Sequence, residues 1–167
     1  MHANNKRKYI KVLCIAVCLF FGINTLASAE EPTLHQKAAQ EEKKRNYSKS
    51  NYYYLKILSK QANDIEALYG AANGFQQLHR YERALVEVDK LLHINPNHEQ
   101  GLLLRAYICI KDKQWENALK DINQVIHINP VNAKAYMYMD NVYSAMGDKE
   151  AAEKAKQRYQ QLTTELN

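Results

Sequence analysis

Cysteine is nearly absent: of three in 167 residues, Cys14 and Cys18 fall within the first 29 and only Cys109 remains. That excludes a disulfide scaffold. Glycine is scarce too, with five residues. No glycine-rich phosphate loop, His-Glu-x-x-His pair or Gly-x-Ser-x-Gly turn occurs, and no compact Cys/His spacing marks a metal site. The sequence therefore reads as non-catalytic, with no metal and no cofactor. A basic surplus is also missing. The formal charge is +5, but Lys6, Arg7, Lys8 and Lys11 supply most of it. Beyond residue 29 the basic and acidic residues nearly balance. Binding nucleic acid needs a basic face to neutralise phosphates, so that class is set aside.

Long apolar runs are limited to one, the 12 residues 12–23, whereas a membrane-spanning helix needs about 20. A basic start precedes this run, and the small-x-small site Ala27-Ser28-Ala29 follows it. That order describes a secretory signal peptide over residues 1–29. The expected mature chain begins at Glu30, is exported and has no membrane span. In a Gram-negative source it would be periplasmic, and otherwise secreted or held by an uncleaved signal.

What is present is an echo. Tyr81-Glu82-Arg83-Ala84-Leu85 leads into His93-Ile94-Asn95-Pro96, and Trp115-Glu116-Asn117-Ala118-Leu119 leads into His127-Ile128-Asn129-Pro130, every pair 34 residues apart. A fixed period of this length marks a repeat array. Proline disfavours helix at the residue before it, so the Asn-Pro pairs act as stops. They divide the chain into units 65–98, 99–132 and 133–167, with a degenerate unit over 30–64 that lacks a closing proline.

Within the first clear unit the apolar residues recur at three and four. Leu68, Ala71, Ala72, Phe75 and Leu78 form one helix, and Tyr81, Ala84, Leu85, Val88, Leu91 and Leu92 a second. Ala72 with Ala84, and Ala106 with Ala118, let paired helices cross closely. Gly147 before Asp148 predicts a turn and cap opening the last helix. There a narrow stripe of Ala151, Ala152, Ala155, Tyr159, Leu162 and Leu166 suits a solenoid's terminal cap. The period also accounts for residues that could pass as functional. His93 and His127 are equivalents, and Cys109 sits where Phe75 and Tyr143 sit, which predicts a buried apolar thiol.

The pattern Leu68, Ala71, Ala72, Phe75, Ala84, Val88, Pro96 resembles the tetratricopeptide repeat. So does Leu102, Ala106, Cys109, Ala118, Ile122, Pro130, and so does Tyr136, Met139, Tyr143, Gly147, Ala152. The resemblance covers about residues 31–166. It implies an all-α, right-handed solenoid of antiparallel helix pairs. It also implies a concave groove, lined by each unit's first helix, that holds a protein or peptide segment. By phase the groove takes Glu66, Tyr69, Gly70, Asn73, Gln76 and Gln77 from the first clear unit. The second gives Gln100, Leu103, Leu104, Tyr107, Ile110 and Lys111. The last gives Lys134, Met137, Tyr138, Asn141 and Ser144. Some members grip a C-terminal carboxylate. Here only Asn73, Lys134 and Asn141 are compatible, while Tyr69 and Leu104 stand where that grip needs polar groups. An amphipathic helix or an extended apolar segment fits better.

Two departures stand out. Leu103, Leu104, Tyr107 and Ile110 are apolar beyond what the core needs. Either a partner covers them or neighbouring units do, and the expectation is a partner, because exposed apolar patches mark interaction sites. Arg105 and Asp140 place charges on helix faces that are otherwise packed. They are expected to pair with each other, the alternative being that both reach solvent. The functional expectation is an exported adaptor in an envelope assembly or secretion complex. The alternative is a structural module forming a homodimer through the central unit's apolar face.

Overall fold

The structure is a computed structural model, and it describes residues 32–164. The signal segment and Leu166 lie outside the described residues. Among the described residues there are eight helices and no strand. They are α1 (Leu34–Lys43), α2 (Tyr47–Leu58), α3 (Ile65–Gln77), α4 (Tyr81–Ile94), α5 (Glu99–Lys111), α6 (Trp115–Ile128), α7 (Ala133–Met146) and α8 (Lys149–Thr164). Each odd helix pairs with the even one after it, and each pair stacks on the next. The first helices also meet directly, α3 with α5 and α5 with α7. No described helix is long and apolar enough to cross a membrane.

The 34-residue period governs the backbone as well as the side chains. Three first helices are capped at equivalent positions. The Asp64 carboxylate accepts from the Ala67 N–H at 2.9 Å, His98 Nδ1 from Gly101 at 3.0 Å, and Asn132 Oδ1 from Ala135 at 3.1 Å. Each cap satisfies a donor that the helix itself leaves free. The turns inside the pairs repeat too. Arg45, His79, Lys113 and Gly147 all have left-handed φ, at 57°, 56°, 58° and 82°. Only the last is glycine, the residue that pays no steric penalty there. The Asn-Pro stops behave alike: Asn95 Oδ1 accepts from the Asn97 N–H at 3.2 Å, and Asn129 Oδ1 from Val131 at 3.3 Å.

The core runs through all the pairs. Ala72, Ala84, Ala106 and Ala118 are fully buried, which is the close helix crossing that small side chains permit. Leu68, Leu91, Leu102, Ile122 and Val125 fill the space between the pairs. Cys109 is buried, and that burial pushes its thiol above the ordinary value. On α8 the buried residues are Ala152, Ala155 and Leu162, while most of the helix faces water.

Arg105 and Asp140 do not pair. The Arg105 guanidinium donates from Nε and Nη2 to the two oxygens of Asp121, each at 2.8 Å, and from Nη1 to Asp89 at 2.8 Å. Asp140 instead accepts a hydrogen bond from the Ser144 hydroxyl at 3.2 Å. The side chain of Arg105 turns toward α6 of its own pair and α4 of the preceding one, away from α7. Asp121 is 3% exposed, so it needs this partner far more than the half-buried Asp140 does.

Candidate functional site

The first helices α3, α5 and α7 share one face, and this face holds a cavity of about 440 Å³. Tyr69, Asn73, Gln76 and Gln77 of α3 form one wall. Gln100, Leu103, Leu104 and Tyr107 of α5 form the floor, and Lys134 and Tyr138 of α7 close the far side. The stacking explains this convergence. Neighbouring first helices lie side by side, so residues one unit apart stand across from one another.

The polar character of the cavity comes from carboxamides and phenols. Asn73, Gln76, Gln77 and Gln100 bring both donors and acceptors. Tyr107 and Tyr138 lie with ring centroids 6.2 Å apart. A lysine stands over each: Lys111 Nζ is 5.2 Å from the Tyr107 centroid, and Lys134 Nζ is 5.5 Å from that of Tyr138. Such contacts between a cation and a ring face are attractive. Burial raises the Tyr138 phenol to about 12, with the neighbouring Tyr107 and Tyr69 adding to the effect. Burial, and then the Glu42 carboxylate, raises Tyr69. Both phenols thus stay neutral donors at ordinary pH. No carboxylate lines this cavity among the described residues.

Seven of the residues expected in the groove stand apart from the cavity: Glu66, Gly70, Ile110, Lys111, Met137, Asn141 and Ser144. Ile110 and Met137 pack half-buried against the core. Lys111 reaches the site only through Tyr107, and Asn141 is exposed on α7. Gly70, also expected to line the groove, is buried against the Tyr54 ring instead. The expected open apolar face on α5 is absent as well. Leu103 and Leu104 are only 6% and 7% exposed, and Tyr107 and Ile110 are half-buried. The neighbours α3 and α7 cover this face, which removes the apolar surface that the homodimer alternative required. One participant escaped the sequence reading. His98, the cap of α5, sets its ring 5.5 Å from that of Tyr69 at the cavity's edge. The 34-residue spacing from Asp64 to Asn132 through His98 was the available signal.

Capped pairs of antiparallel helices, stacked at this period around a lined face, define an α-solenoid. Solved structures agree on the particular fold. The chain is similar to MamA 41-end from Desulfovibrio magneticus RS-1, with 25% identity over 75% of this chain and 71% of that one, at a TM-score of 0.70. It is also similar to a tetratricopeptide repeat protein from Parabacteroides merdae, with 20% identity, 90% and 57% coverage and a TM-score of 0.71. A third likeness is to the first TPR of Spaghetti (RPAP3) bound to an HSP90 peptide, with 18% identity, 68% and 90% coverage and a TM-score of 0.66. Neither a family profile nor a curated protein sequence matches the chain. The fold is the tetratricopeptide-repeat fold, and the chain is built as a tetratricopeptide-repeat array.

Proposed function

We propose that the chain is an exported, non-catalytic adaptor that holds a segment of another protein in the groove between α3, α5 and α7. The observation that carries this reading is the 440 Å³ cavity, where tyrosines, carboxamides and Lys134 from three successive units converge. Carboxamides can pair with the main chain of an extended segment, and the tyrosines offer rigid apolar contact with a polar tip. The third structural neighbour holds a peptide, which supports the same use of the fold here. Export rests on the basic, apolar and small-x-small order of residues 1–29. An envelope assembly or secretion complex is the setting this reading favours.

The test is affinity capture from the native envelope fraction with tagged full-length protein. Leu103 is too buried for a charge to probe binding without unfolding the chain, so Tyr107→Ala and Asn73→Ala are the informative variants. Both are expected to lose a partner that Lys120→Ala, on the opposite side of the second pair, retains. Retention by all three variants would refute the groove. Amino-terminal sequencing of the recovered protein checks export, with Glu30 the expected first residue.

A further inference from the structure

Charge along the first-helix face is sorted by sign. Residues 66, 100 and 134 are equivalents one period apart, and they are Glu66, Gln100 and Lys134. Gln100 lies in the cavity floor and Lys134 closes its far side. Glu66 stands outside the cavity, on the side of α1. There its carboxylate, 69% exposed, meets the His35 ring of α1, Oε1 to Nδ1 at 3.5 Å. A second carboxylate belongs to the same end. Glu42, in phase with the cavity residue Gln76, accepts from the Tyr54 hydroxyl at 3.0 Å. Burial and then Glu42 raise the Tyr69 phenol, and burial, Glu42 and Glu66 raise that of Tyr54. Both carboxylates therefore act on the tyrosines of this end. Among the described residues neither pairs with a lysine or arginine.

The other end is cationic. Lys111 and Lys134 rest on the Tyr107 and Tyr138 rings, and among the described residues neither meets a carboxylate. Helix stability does not account for Lys134. It occupies the first turn of α7, where the positive end of a helix favours an acidic residue. The first turns of α3 and α5 hold Glu66 and Glu99, and that of α7 holds no acidic residue. Lys134 thus adds its charge where the potential is already positive. Two groups of opposite sign have local explanations. Lys43 sits in the last turn of α1, where a cation is favoured, and Asp140 accepts from the Ser144 hydroxyl.

Given the proposed groove, on which this rests, we infer that the bound segment lays a lysine or arginine side chain over Glu66 and Glu42 and an aspartate or glutamate side chain over Lys134. Packed helices lie about 8–10 Å apart, so α3 and α7, two steps apart, are separated by about 16–20 Å. An extended chain crosses that distance in about five or six residues, which sets the spacing of its two charges. A segment of uniform charge brings like charges together at one end, and that juxtaposition is unfavourable. The groove thus selects by charge order, while its tyrosines and carboxamides hold the middle of the segment.

A phage-displayed library of random peptides about 12 residues long, selected on the full chain, tests this. Binders released by Tyr107→Ala are groove ligands. Among them a basic residue should stand about five or six positions from an acidic one, well above the frequency in the unselected library. With the best binder made as a synthetic peptide, Glu66→Lys and Lys134→Glu should each weaken binding at least about fivefold, and Lys120→Glu should not. Glu66 and Lys134 are exposed, so these variants keep the fold. Changing the peptide's basic residue to glutamate should reverse the preference, so that the Glu66→Lys variant binds it more tightly than the wild type does. Groove ligands without the charge pair, or an affinity indifferent to Glu66→Lys, would overturn the inference. Binders that all ignore Tyr107→Ala would instead refute the groove itself, and the inference with it.

Discussion

Replacing Arg105 by methionine removes a cation and keeps much of its length. Asp121, 3% exposed, then loses two charge-assisted hydrogen bonds of 2.8 Å. Breaking a buried pair costs about 3–5 kcal/mol. The Arg105 side chain is itself 29% exposed, and water reaching that side scales the loss to about 2–4 kcal/mol. Asp89, 57% exposed, should contribute at most about 1 kcal/mol. Urea unfolding followed by far-UV circular dichroism gives each value by linear extrapolation. Double-mutant cycles then separate the pairs. Arg105 and Asp121 should couple by about 1.5 kcal/mol or more, Arg105 and Asp89 by less, and Arg105 and Asp140 by nothing measurable. The combined Arg105→Met, Asp121→Leu variant should recover most of the loss, because two packed apolar residues leave no orphaned charge. Strong coupling of Arg105 to Asp140, or a harmless Arg105→Met, would refute the account of this network.

Other expectations follow from the period. His98→Ala should cost about 1 kcal/mol and His98→Asn almost nothing, since asparagine restores a good cap; both are measured by thermal or urea unfolding. Lys113→Gly should stabilise by about 0.5–1 kcal/mol, relief of left-handed strain exceeding glycine's entropic cost, while Gly147→Ala should destabilise by a similar amount. Glu41, held by hydrogen bonds from Lys44 and Asn46, has its carboxyl lowered chiefly by the Lys44 contact. Its folded-state value lies below its unfolded one, so the stability it gives is present above about pH 4.5 and is lost as the pH falls further. Glu41→Gln should flatten that part of the acid-unfolding curve.

The pairs and their stops were legible because hydrophobic phase and the Asn-Pro echo act locally. Ala72 facing Ala84 and the thiol of Cys109 in the core follow from the same phase. The left-handed turns were legible only at Gly147, because arginine, histidine and lysine carry no preference for that backbone at residues 45, 79 and 113. The groove residues Tyr69, Asn73, Tyr107 and Tyr138 could be named from phase. How far neighbouring helices close over Leu103 and Leu104 could not, since that depends on the curvature of the whole stack. Arg105 shows the same limit. Phase gave the side of α5 it leaves from, but its long side chain runs to α4 and α6, which no single-helix pattern describes.

The central claim is that the face shared by α3, α5 and α7 holds another protein. A photo-crosslinking amino acid placed at Gln100, in the cavity floor, and separately at Lys120, on the opposite side of the same pair, tests it most directly. The account predicts a discrete adduct from Gln100 that Tyr107→Ala abolishes, and none from Lys120. An adduct from Lys120 alone, or an equal one from both positions, would contradict it.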